Sequence, residues 1–145
     1  MLQRSHGGIE TPATDGSFTV VIVEDDPSVL RSLRRLVRSA GFAVRTFASP
    51  GALLDSEIPK MDACLVVDVN LPEMNGVELC EVLAASGRGL PAILITGQSD
   101  SATNRLVGQA TAVAVLRKPF AATLLLKAIS AALSKSASNT GSQVP

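Results

Sequence analysis

A chain of 145 residues, 46% apolar and 18% charged, is long enough to bury about 70% of its unfolded surface in one domain and too short for two. Thirteen basic side chains balance thirteen acidic ones without a polybasic block, so composition gives no electrostatic footprint for nucleic acid or an anionic membrane. No stretch supplies the roughly 18 uncharged apolar residues of a membrane span, and Met1 to Ser17 lacks the apolar core of a leader, which makes the cytoplasm the expected location.

Residues 1–17 mix Gly, Thr, Ser and Pro without periodicity, and residues 135–145 are rich in Ser, Asn and Gly; both are expected to be flexible tails around one domain at 18–134. Phe18 to Val23 is the first expected strand. Asp26 then offers an N-cap and Pro27 a first helical residue, for a helix that runs to Ala40 and stops at Gly41. Its apolar residues Val29, Leu30, Leu33, Leu36 and Val37 recur at helical spacing, and Arg31, Arg34, Arg35 and Arg38 fill most other positions. A strand at Phe42 to Phe47 leads to Ser49-Pro50 and a short helix through Leu54. Ala63 to Val67 is continuously apolar, the pattern of a central strand covered on both faces.

After the loop Val69 to Asn75, a helix over Gly76 to Ser86 carries Val77, Leu79, Cys80, Val82 and Leu83 as its inner stripe. Pro91 opens a strand at Ala92 to Thr96, and Ser99 or Asp100 can cap a helix through Ala110. Gly108 within that helix costs about 1 kcal/mol relative to Ala, which makes it the least stable of the five. A strand at Ala112 to Leu116 and a helix at Ala122 to Ser134 complete five βα units. Right-handed crossovers impose a doubly wound parallel α/β sheet, for which 2-1-3-4-5 is a common order with its switch point between the first and third strands. Cys64 and Cys80 have neither CxxC nor His spacing and read as buried free thiols.

Three of the strands stop at residues suited to phosphoryl transfer: Glu24-Asp25-Asp26 after the first, Asp68 after the third, and Lys118-Pro119 just beyond the fifth. At the switch point these carboxylates would converge, and close carboxylates call for a divalent cation and a facing ammonium. Asp68 is the candidate nucleophile, able to carry a phosphoryl group as an acyl phosphate. Glu24 and Asp25 could hold Mg²⁺ together with Asp68 and the backbone carbonyl near Asn70. Lys118 and Thr96 offer a positive charge and a hydroxyl to the transferred oxygens, and Pro119 is a candidate cis proline that fixes the approach of the lysine. Each feature also has a plainer explanation: helix capping for the acidic triplet, turn formation for Asp68, a solvated loop for Lys118, a strand end for Thr96. Only their joint placement favours the functional account.

Val-Glu-Asp-Asp-Pro at 23–27, Leu-Val-Val-Asp-Val-Asn-Leu-Pro-Glu-Met-Asn-Gly at 65–76, Ile-Leu-Ile-Thr-Gly at 93–97 and Leu-Arg-Lys-Pro-Phe at 116–120 resemble the motifs of a response-regulator receiver domain of two-component signalling. The resemblance runs from about Phe18 to Leu133 and rests on four motifs in order. It implies the flavodoxin-like (βα)5 fold; because 2-1-3-4-5 is the order known for this family, it is not independent support for that order. By resemblance Asp68 is the phospho-acceptor, Glu24 and Asp25 the Mg²⁺-binding acidic pair (with Mn²⁺ able to substitute), Thr96 the switch hydroxyl and Lys118 the motif lysine. The donor would be a sensor histidine kinase or a histidine phosphotransfer protein, with an unknown protein target downstream. The chain would be no enzyme beyond assisting its own aspartyl phosphorylation and dephosphorylation. Asn70 and Gln98 resemble the positions that tune phosphate lifetime, although simple loop polarity explains them equally well.

Two positions depart from the family pattern. The switch aromatic is replaced by Val115, and the glycine usual past the fourth helix by Thr111. The resemblance places kinase docking at the start of the first helix, around Pro27, Val29, Leu30 and the neighbouring arginines, although apolar residues there could equally be core. The polar residues after Ser134 are too few for a second domain, so the chain is expected to be a stand-alone receiver or a piece of a longer regulator. Three other classes stand against this reading. A degenerate, non-phosphorylated receiver would serve as a protein-binding module. A dehalogenase-type phosphohydrolase would need a carboxylate where Asn70 stands, and a flavin carrier would need a phosphate loop and an aromatic stacking partner.

Overall fold

The fold grows outward from an apolar run, Thr19–Val23 (β1), whose last four residues are wholly buried. A computed structural model describes residues 18–97 and 101–141. Helix α1, Pro27–Ser39, starts where expected: the Asp26 carboxylate accepts from the Ser28 and Val29 N–H groups at 2.9 and 3.3 Å, and proline takes the first helical position. Beyond the Ala40 cap, Gly41 adopts φ +99°, a conformation open mainly to glycine, and turns the chain into β2, Ala43–Phe47. Ser49 caps α2, Pro50–Leu54, by accepting from the Ala52 N–H at 3.1 Å.

Strand β3, Ala63–Asp68, is buried along its whole length. Helix α3, Gly76–Ala85, opens on a capping box, with Asn75 accepting from the Glu78 N–H at 2.9 Å and Glu78 accepting from the Asn75 N–H at 3.1 Å. There follow β4, Ala92–Thr96, α4, Ser101–Gln109, β5, Ala114–Arg117, and α5, Ala122–Gly141.

The five strands are all parallel in the order β2-β1-β3-β4-β5. Side chains alternate between two faces, as the twofold period of a strand requires. Val20, Ile22, Val66, Ile93 and Ile95 pack under α1 and α5 through Leu33, Val37, Leu125 and Ile129. Val21, Val23, Leu65, Val67 and Leu94 pack under α2 and α3 through Leu53, Leu79 and Leu83, with Leu106 and Val107 of α4 at the margin.

Several element ends fall one residue from expectation, and three elements differ in ways that bear on the site or the length of the fold. Asp68 belongs to β3 and pairs with Ile95 of β4, so the carboxylate is anchored by the sheet itself. Strand β5 starts at Ala114 and runs to Arg117, because the incoming chain makes only one bond to β4, from the Val113 N–H to the Ala92 carbonyl at 2.8 Å, before pairing begins. Helix α5 continues past Ser134 through Lys135, Ser136, Ala137, Ser138, Asn139 and Thr140, none of them a glycine or proline, and ends at Gly141. Both cysteines are free: burial pushes the Cys64 thiol up to about 12, and burial with the Glu81 charge pushes Cys80 to about 11. Among the described residues no helix is long and apolar enough to cross a membrane. The expected tail at 1–17, the last four residues of the tail expected at 135–145, and the expected cap at Ser99 or Asp100 lie outside the described residues, whereas residues 135–141 are helical rather than tail.

Candidate functional site

The neighbours β1 and β3 send their following helices to opposite faces of the sheet, which leaves a crevice at their carboxyl ends. Because Val23 stands level with Val67, the next residues, Glu24 and Asp68, reach the rim side by side. Glu24, Asp25 and Asp68 each offer a carboxylate oxygen within 4.8 Å of the others. Glu24 and Asp68 are only 2% and 6% exposed, whereas Asp25 faces solvent.

Across the crevice, Lys118 just past β5 holds Nζ 3.6 Å from Asp68 Oδ2 and 3.7 Å from Glu24 Oε1. The Lys118–Pro119 peptide bond is cis, as expected from the sequence. The Lys118 N–H donates to the Thr96 carbonyl at 2.9 Å, which ties the lysine to the end of β4. Thr96 is fully buried, and its hydroxyl donates to Asn70 Oδ1 over a long 3.4 Å. The Asn70 N–H donates to Asp68 Oδ1 at 2.9 Å, leaving Oδ2 as the oxygen that faces Lys118.

Burial raises the Glu24 carboxyl above its ordinary range, and the nearby Asp68 charge adds to this. The Asp26 N–H, which donates to Glu24 Oε2 at 3.1 Å, and the Lys118 ammonium oppose the rise. Glu24 Oε1 is left buried with no hydrogen-bond donor among the described residues. An orphaned buried oxygen among three convergent carboxylates fits a hard cation that takes oxygen ligands, and Mg²⁺ suits that donor set.

The structure thus brings together Glu24, Asp25, Asp68 and Lys118, and joins Thr96 to Asn70. Val115 stands apart: it pairs with Leu94 and packs against the α2 and α3 side of the core. Gln98 lies outside the described residues. Sequence reasoning missed Gly76, treated only as a helix start. A Cβ there would lie 2.5 Å from the Asp68 carbonyl oxygen and 2.9 Å from Val67 Cγ1, so only glycine lets α3 press against the end of β3. Its N–H donates to the Val69 carbonyl at 2.9 Å. The Asn-Gly pair at 75–76 was the available signal. Sequence reasoning also missed the Asp26 N–H as a partner of Glu24.

A parallel five-stranded sheet with an acidic crevice facing a lysine is the arrangement of a signalling receiver, and the comparisons agree. The family model described as "Response regulator receiver domain" matches residues 20–130, and the chain belongs to that family. It is 39% identical over 129 residues to Nodulation protein W of Bradyrhizobium diazoefficiens, covering 89% of this chain and 56% of that protein. Response regulator protein TmoT of Ectopseudomonas mendocina is 38% identical over 119 residues, covering 82% of this chain and 54% of that protein. The chain therefore spans about half the length of these curated relatives. Among solved structures, FixJ-N superposes with a TM-score of 0.72 at 34% identity, covering 83% of this chain and 96% of that one. Receiver domains serve phosphorylation-based signalling with histidine kinases as partners, which sets aside the phosphohydrolase and flavin-carrier readings.

Proposed function

We propose that Asp68 accepts a phosphoryl group from a phosphohistidine on a sensor kinase or phosphotransfer protein, in a reaction that depends on Mg²⁺ and switches protein contacts. The observation that carries this reading is the Asp68 carboxylate, held by the Asn70 N–H on one oxygen and facing the Lys118 ammonium with the other. A carboxylate so oriented is placed to attack phosphorus: the P–O bond forms as the donor N–P bond breaks, and the electron pair returns to the imidazole nitrogen. Glu24, Asp25 and Asp68 would hold the Mg²⁺, with the Asn70 carbonyl as a further oxygen; bound there, the ion neutralises charge on the phosphoryl oxygens. Lys118, 35% exposed and mobile on its stem, pairs with the transferred oxygens, and the Thr96 hydroxyl donates to them after leaving Asn70. Asn70, released from Thr96, and Gln98 orient the water that later hydrolyses the acyl phosphate.

Mass spectrometry after incubation with phosphoramidate and Mg²⁺ tests the reading. One hydroxylamine-labile phosphate at Asp68 is expected, absent in Asp68→Asn and formed about 10²-fold more slowly in Lys118→Ala. Bound Mg²⁺ with no phosphate at Asp68 would return the chain to the binding-module reading, for which Val115 is the motive. Asn70→Ala should change the decay rate of the phosphate; an unchanged rate would leave loop polarity as the explanation of that side chain.

A further inference from the structure

The α2 and α3 side of the sheet is not filled throughout. Between α3 and the segment that follows α4 lies a cavity of about 230 Å³, over the β4 residues Ala92 and Leu94. Small side chains leave this space: Ala84 of α3, Ala92 of β4, and Ala110 and Ala112 after α4 all line it. Helix α4 does not close it, because α4 contributes no buried apolar side chain among the described residues, only the half-buried Leu106 and Val107. Protein interiors pack as densely as organic crystals, so a void lined by methyl groups is destabilising until something fills it. Water is a poor filler, since the inner wall of Val77, Ala92 and Leu94 offers it no hydrogen-bonding side chain.

We propose that this cavity binds a small, uncharged apolar molecule of one or two fused rings. The size follows from the volume: a dry apolar cavity of about 150 Å³ takes benzene, so this one has room for a second ring. The lack of charge follows from the wall. Cys80 stays a neutral thiol there, because burial and then the Glu81 charge push it up to about 11. Glu81, exposed at the mouth, would repel a carboxylate and accept from a ring N–H or hydroxyl. A molecule seated there touches α3, β4 and the link from α4 to β5 at once, and so joins elements that the fold leaves loosely packed. The inference does not rest on the reading of Asp68.

The test titrates the full chain with indole and with indole-3-carboxylate, read by amide NMR and by Tm. Indole should give saturable shifts centred on residues 77–84, 92–94 and 110–112 and should raise Tm. Indole-3-carboxylate should bind about tenfold more weakly, and Glu81→Gln, a change at an exposed position, should recover most of that loss. Ala110→Leu should fill the space, weakening indole about tenfold while leaving the Tm of the free protein unchanged or higher. Ala112→Leu gives the same reading where Ala110→Leu does not fold. No saturable shift in those segments, equal binding of the two probes to the parent chain, or undiminished indole binding by a folded leucine variant would overturn the proposal.

Discussion

Glu24 and Asp26 are two residues apart, yet their environments push their acidities in opposite directions. Asp26 is lowered by the Val29 N–H, then by the Ser28 hydroxyl and N–H, so its contribution to stability is present above the ordinary carboxylate range and fades as pH falls through the depressed value. Glu24 is raised by burial, so its charge burdens the metal-free fold at neutral pH and the burden is relieved as pH falls through the raised value. Glu24→Gln should therefore raise the Tm of the metal-free protein while abolishing the Tm increase on adding Mg²⁺, an increase that for the parent chain should correspond to a stabilisation of about 2.7 kcal/mol at a hundred times the Kd of the proposed site. A differential scanning calorimetry series checks both halves. Mg²⁺ affinity should also begin to weaken, on acidification, above the ordinary Glu range, because a proton on Glu24 competes with the cation. Gly76 acts through space alone: Gly76→Ala would force α3 away from the Asp68 carbonyl, costing about 1–3 kcal/mol in chemical denaturation. Nothing in the chain's periodicity announces that contact, because it lies between segments eight residues apart in sequence and depends on how closely a helix meets a strand.

At the scale of elements, local chemistry fixes most boundaries. Asp26-Pro27 and Ser49-Pro50 start helices because each supplies a side-chain acceptor followed by a residue with no N–H to satisfy. Asn75 likewise supplies a side-chain acceptor for α3, and Asn75→Ala should cost about 1 kcal/mol of stability, read as a lower denaturation midpoint at unchanged slope. Gly108 interrupts α4 with nothing within 4 Å of where a Cβ would be, so Gly108→Ala should stabilise by about 1 kcal/mol. A fall in the midpoint would show that α4 uses the freedom of that glycine. The start of β5 was less legible, since Ala112 and Val113 are as apolar as the strand itself and hydrophobicity does not mark where pairing begins. The end of α5 was misread for the converse reason: polar residues without a breaker look like a tail, yet a helix accommodates them.

For the molecule as a whole, the question is how a charge change at Asp68 would travel. Thr96 ends β4 level with Arg117, and Lys118 is bonded to the Thr96 carbonyl, so the ends of β4 and β5 move together. Val115, two residues back, fills part of the α2 and α3 side of the core with a compact side chain that cannot swing as an aromatic ring would. On the proposed phosphorylation of Asp68, transmission is expected to run through packing along α4 and β5. Amide exchange with and without beryllofluoride should show altered protection across residues 101 to 120; unchanged protection there would remove this route.

Order along the chain was enough to specify five βα units, the caps of α1 and α2 and the acids and lysine that end three strands, because these depend on neighbours within a few residues. Periodicity also marked most of the buried residues, since a twofold or 3.6-fold repeat has one way to meet a core, but it placed Val82 in the inner stripe of α3 where the structure leaves it 40% exposed. Tertiary structure alone decided that Glu24 is buried with an orphaned oxygen, that Asp68 divides its two oxygens between Asn70 and Lys118, and that only glycine fits at position 76. Those facts arise from segments far apart in sequence, or closely packed against one another, and distance through space is set by the register and packing of the whole sheet.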